Sequence, residues 1–126
     1  MWGKRACVVC MIAGSILAAA GTPEVLAAPA RENFQRYCAQ CHGPAGKGDG
    51  VNADVTKALG AAPKDLTNSV DLGRLSDDRI ANIIAKGGSG NELSPLMPPW
   101  GNTLSRKEIQ DLVRFIRDLC KCTYKP

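Results

Sequence analysis

The chain has 126 residues, a net charge of +4 at neutral pH, six cysteines and one histidine. That length allows one ordinary domain and not two. The charge is too weak to argue for nucleic acid or a membrane surface as partner.

Residues 1–28 read as a secretory signal, leaving 29–126 as a single domain. Lys4 and Arg5 form a basic start, Ala6 to Ala20 a small apolar run, and Val25-Leu26-Ala27 supplies small residues suited to cleavage. A cut after Ala27 is the first choice, and Ala28-Pro29-Ala30 offers a second. An uncleaved anchor is the alternative, but the apolar run falls short of the roughly 20 residues a spanning helix needs. Cys10 follows Val8-Val9, a poor context for lipidation, and Cys7 and Cys10 leave with the leader. The expected product is a soluble periplasmic protein with no stable membrane insertion.

The first helical stretch runs from about Ala30 to Cys41. Phe34 and Tyr37 stand three apart, as do Cys38 and Cys41, so aromatics and cysteines share one face. Its end reads Cys38-Ala39-Gln40-Cys41-His42, the C-x-x-C-H pattern of covalent haem attachment. Two cysteines at this spacing add to the two vinyl groups of one haem, and the next residue, His42, supplies an axial nitrogen to the iron. A thioredoxin-like pair would need a βαβ pattern, and none is present. A zinc site would need four ligands, and His42 is the only histidine. Covalent haem is attached outside the cytoplasm, so leader and motif support each other. Residues 29–126 hold only Phe34, Tyr37, Trp100, Phe115 and Tyr124 as aromatics, and a buried porphyrin would complete so thin a core. Over the same span 14 Lys and Arg face 11 Asp and Glu, a net of +3 that two haem propionates lower to about +1.

Gly43-Pro44 stops this helix, and Gly46, Gly48 and Gly50 follow, as expected where backbone approaches a flat ligand. The stretch lacks the spacing and the preceding strand of a phosphate loop. A second helix runs from Ser76 to about Lys86, with Ser76 as N-cap, Asp77 and Asp78 in the first turn, and Ile80, Ile83 and Ile84 as its stripe. Gly87-Gly88 end it. A third runs from about Ser105 to Cys120, opened by the capping box Ser105-Arg106-Lys107-Glu108. Its buried face is Ile109, Leu112, Val113, Phe115, Ile116 and Leu119. No repeat and no strand-like alternation interrupts this all-α pattern.

Between the second and third helices lies Leu96-Met97-Pro98-Pro99-Trp100-Gly101, and Met97 is the only methionine beyond the leader. A lone methionine is ordinarily core filler. This one sits in a proline-stiffened loop, and a thioether opposite histidine raises the potential of haem iron. Met97 is the expected distal ligand, with Lys86 as fallback.

Residues 30–120 carry YCAQCHGPAGKGDG, APKDLT, LSDDRIANIIAKG, LMPPWG and LSRKEIQDLVRFIRDL in that order. In this succession the chain resembles class I cytochromes c, in the bacterial branch with CHGxxGxGDG after the haem cysteines. The resemblance implies three to four short helices wrapped around one covalent haem c with its iron, and first and last helices that cross at right angles. It places Phe34 against Leu112 and Phe115. It assigns the Pro63 carbonyl to the His42 ring N–H, puts Leu66 on the haem face and sets Trp100 near a propionate. Cys120-Lys121-Cys122 departs from the family pattern: a local disulfide, an interchain bridge and free thiols all remain open.

The expected function is one-electron transfer without catalysis. Donor and acceptor proteins would dock transiently around the haem edge, with Lys47, Lys57, Lys64 and Lys86 as rim candidates. The chain is expected to be monomeric unless Cys120 or Cys122 bridges two copies. A haem enzyme or gas sensor with a displaceable distal ligand is the alternative, and so is an electron-transfer subunit of a larger oxidoreductase.

Overall fold

A computed structural model describes the backbone of residues 23–126, with side chains from residue 29 onward. Most of the leader read from the sequence therefore lies outside the described residues. Among the described residues six helices follow one another: α1 (Pro23–Tyr37), α2 (Ala39–His42), α3 (Ala53–Ala58), α4 (Ser69–Gly73), α5 (Asp77–Lys86) and α6 (Arg106–Cys120), with a 3-10 turn at Ser89–Asn91 between α5 and α6. The described residues contain no strand. None of their helices is long and apolar enough to cross a membrane.

The first expected helix is found as two. At Cys38 the backbone opens to φ −113°, and α2 begins one residue later. Rungs continue on both sides, with the Cys38 amide donating to Phe34 and the His42 amide to Cys38, so this is a kink rather than a new direction. The helix also starts before Ala30, because Pro29 is accommodated inside it with the loss of one donor. Helices α3 and α4 are additions to the expected set. Both are too short to display apolar periodicity. The Asn68 side chain caps α4 by accepting from the amides of Val70 and Asp71, and Leu72 on α4 plugs into the core at 2 % exposure.

The two long expected helices appear within a residue of their anticipated bounds. The Ser76 hydroxyl accepts from the Arg79 amide at the start of α5. At α6, Ser105 and Glu108 complete a reciprocal capping box. The amphipathic face of α6 buries Ile109, Leu112, Val113, Phe115 and Ile116, and α1 and α5 pack on it. Phe34, fully buried, meets the Phe115 ring with centroids 5.1 Å apart, so the expected Phe34 contact is found. Arg31 lies over the outer side of that ring at 5.3 Å, and the Asn33 amide reaches Glu108 at 3.3 Å. Arg117 staples the other end of α6, donating to the carbonyls of Leu72 and Leu75 and pairing with Asp77. Cys120 and Cys122 are bonded to each other with α-carbons 5.2 Å apart, which selects the local disulfide among the three readings.

Candidate functional site

Helices arranged in this way leave an apolar-lined cavity of about 520 Å³, within the size range of cofactor pockets. Residues from the whole length of the domain converge on it. Tyr37, Cys38, Cys41 and His42 come from α1 and α2; Pro63, Lys64 and Leu66 from the following loop; Leu72, Leu75, Ile80, Ile83 and Ile84 from α4, α5 and their junction. Leu96, Met97, Pro98 and Trp100 close another side, with Leu112 and Ile116 behind them. Each sequence-derived site residue thus lines a single cavity. Lys86, the fallback ligand, does not.

The cysteine side is built by local backbone. Cys38 and Cys41 are free thiols. Burial, with Cys41 alongside, pushes the Cys38 thiol up to about 12, so it is held protonated at neutral pH. Burial also lowers the pKa of His42, against the opposing pull of a hydrogen bond from its ring to the Lys64 carbonyl. That bond, from Nδ1 at 2.9 Å, holds the tautomer and leaves Nε2 as the nitrogen free to bind a metal.

The acceptor corrects an expectation: it is Lys64, not Pro63. The Pro63 carbonyl points at Gly48, where an added Cβ would lie only 2.6 Å from it, and the next carbonyl along turns to His42. Gly48, at φ +77°, is therefore required by close approach of protein backbone rather than of a ligand. Its amide also donates to the His42 carbonyl at 2.7 Å, while the Gly46 carbonyl accepts from Leu66. The glycine loop thus wraps α2 and carries Leu66 to the cavity.

The methionine side is built by bonds between the end of α5 and the loop that follows it. Trp100 and Gly101 amides donate to the carbonyls of Ile84 and Ala85 near the end of α5. The Trp100 indole packs against the Tyr37 ring at a tilt, with centroids 4.9 Å apart. The Met97 carbonyl accepts from the Gly88 amide at 2.9 Å. Sequence reasoning missed a polar cluster behind this loop: Arg79, Asn82 and the buried Asn91 bond to one another. An asparagine in a Gly-Ser-Gly stretch reads as surface turn, and no local signal marks it as buried.

These residues suit a haem. Two thiols at vinyl spacing, a neutral imidazole with one nitrogen held, a thioether and an apolar enclosure occupy one cavity. Among the described residues, no three His, Cys, Asp or Glu side chains gather as a metal cage, which leaves the zinc alternative without a ligand set. Of the rim lysines only Lys64 lines the cavity, and it pairs with Asp71 at 2.7 Å.

Comparison with known proteins agrees. The family model described as cytochrome C oxidase, cbb3-type, subunit III matches residues 25–116. A solved structure, the KustC0563 c-type cytochrome, superposes with a TM-score of 0.57 at 25 % identity, covering 71 % of this chain and 95 % of that one. No curated protein matches.

Proposed function

Since the chain belongs to the cytochrome c family described for cbb3-type oxidase subunit III, as a class I c-type cytochrome with covalently bound haem c, we propose that it is an exported carrier of single electrons whose iron is held by His42 and Met97. The observation that carries this reading is the convergence of Cys38, Cys41, His42 and Met97 on one apolar cavity. When bound, the haem supplies a one-electron Fe(III)/Fe(II) couple.

The protein's own part is positional. Cys38 and Cys41 tether the porphyrin through thioethers. The Lys64 carbonyl orients His42 and raises its basicity as a ligand. Pro98 and Pro99 stiffen the loop that presents Met97, and the apolar part of the lining would pack against the porphyrin. The chain offers no second histidine to serve the acid–base chemistry a haem enzyme needs. On this reading the leader is removed by a cut after Ala27 or shortly beyond on passage to the periplasm, and donor and acceptor proteins dock transiently. The matching family is described as an oxidase subunit, which favours, as a second reading, the same local task inside a larger complex. Co-purification of a stable partner separates the two.

A redox titration of the exported holoprotein tests the proposal. A single reversible one-electron wave without peroxide turnover supports it. Peroxide consumption by the purified protein overturns it. N-terminal sequencing of the same sample, expected to begin at Ala28 or shortly after, tests export.

A further inference from the structure

The loop bearing Met97 turns Leu93, Leu96 and Pro98 to the cavity and leaves Glu92, Pro95 and Pro99 exposed on its other side. What ties it to the end of α5 is polar, and it centres on Asn91 in the 3-10 turn, which is only 3 % exposed. Every hydrogen-bonding position of the Asn91 amide is taken. Its Nδ2 donates to the carbonyls of Asn82 at 3.1 Å and Gly87 at 2.8 Å. Its Oδ1 accepts from Arg79 at 2.8 Å and from the Asn82 amide at 3.1 Å. The second Arg79 nitrogen reaches the Asn91 main-chain carbonyl at 3.0 Å, so one guanidinium grips both oxygens of Asn91 in a planar fork.

The grip is passed on through backbone. The Asn91 and Leu93 amides both donate to the Gly88 carbonyl at 2.9 Å, and the Gly88 amide donates to the Met97 carbonyl, also at 2.9 Å. Gly87 presses so close to the loop that a Cβ there would lie 2.7 Å from the Met97 oxygen. A continuous set of bonds thus runs from Arg79 through Asn91 and the Gly87-Gly88 joint to Met97.

We infer that Asn91, gripped by Arg79 and Asn82, is the positioning residue that keeps the Met97 thioether on the haem iron. The inference rests on Met97 being the distal ligand. A buried, fully bonded amide is costly to disturb, because removing it strands the carbonyls of Asn82 and Gly87. A ligand on a loop depends on that rigidity, since its bond to the metal survives only while the loop stays in place.

The test uses exported holoprotein carrying Asn91→Ala, with Met97→Ala in parallel. Asn91→Ala is expected to keep covalent haem and helix content. Its reduced form should bind carbon monoxide at about a tenth or less of the highest concentration that leaves the parent spectrum unchanged. Its oxidised form should lose much of the weak far-red band of a methionine–Fe(III) bond, and hydrogen exchange at the Gly88 amide should accelerate. Should Asn91→Ala not accumulate in folded form, Arg79→Lys is measured in the same way, because an ammonium keeps the charge but cannot grip both oxygens. A variant that only melts earlier, with parental carbon monoxide response, far-red band and Gly88 exchange, overturns the inference. If Met97→Ala itself leaves the spectrum low-spin and closed, the ligation reading fails instead.

Discussion

The two sides of the cavity are built by opposite means. The cysteine side is five consecutive residues on one kinked helix, with a glycine loop bonded back to Cys41 and His42 and the Lys64 carbonyl holding the His42 ring. The methionine side is the run of α5, the 3-10 turn and the loop at 93–101, folded on itself through Asn91, Gly88 and Trp100. Covalent attachment makes the first side tolerant of loosening. On the proposed ligation the second would hold Met97 by geometry alone, so the same loss of order there should change chemistry as well as stability.

Deleting the tether breaks the comparison most completely. Cys38→Ala combined with Cys41→Ala should leave no haem that survives acid–acetone extraction, whatever the state of the methionine side. Next in size is Met97→Ala. It should retain covalent haem, turn high-spin, bind carbon monoxide when reduced and lower the potential by on the order of 100 mV, given that axial ligation tunes haem potentials over roughly 0.8 V. Retention of the parental potential would rule Met97 out as ligand.

Two glycines sharpen the contrast. Gly48, at φ +77°, touches the Pro63 carbonyl, and Gly87, at φ +69°, touches the Met97 carbonyl. Alanine at either position should cost about 1–3 kcal/mol in denaturant unfolding. Only Gly87→Ala should also admit carbon monoxide. Equal spectral effects from both would erase the distinction between the sides.

The smallest effect is expected at Glu108, away from the cavity. Its carboxyl is held below the usual range by the Ser105 backbone amide, then by the Ser105 hydroxyl and the Asn33 amide. A carboxylate with a depressed folded-state pKa stabilises the fold above its ordinary pKa, and that contribution is lost as pH falls through the lower, folded value. Glu108→Gln should therefore flatten the acid limb of the stability curve just below the ordinary carboxylate range, with the haem spectrum unchanged. An unaltered limb would show that the cap contributes nothing there.

What sequence could reveal follows the same division. The haem motif, the Ser76 cap, the Ser105–Glu108 box and the apolar face of α6 are local patterns, and each appears where the pattern puts it. Met97 stands out because residues 29–126 hold no other methionine, and it does line the cavity. The acceptor of the His42 proton was displaced by one residue, from Pro63 to Lys64, because which of two adjacent carbonyls faces the ring depends on Gly48 packing against the other. Helices α3 and α4 escaped notice because five or six residues carry no period. Asn91 escaped because burial of an amide is decided by Arg79, Asn82 and Gly87 together, and none of their letters announces it.

The central claim is that His42 and Met97 close the iron to outside ligands. The most direct measurement is the visible spectrum of the exported, purified protein in both oxidation states, followed by carbon monoxide added to the reduced form. The account predicts low-spin spectra, the far-red band when oxidised, and no change on adding the gas. A high-spin spectrum, or ready binding of carbon monoxide, would contradict it and point to a haem that binds or transforms small molecules.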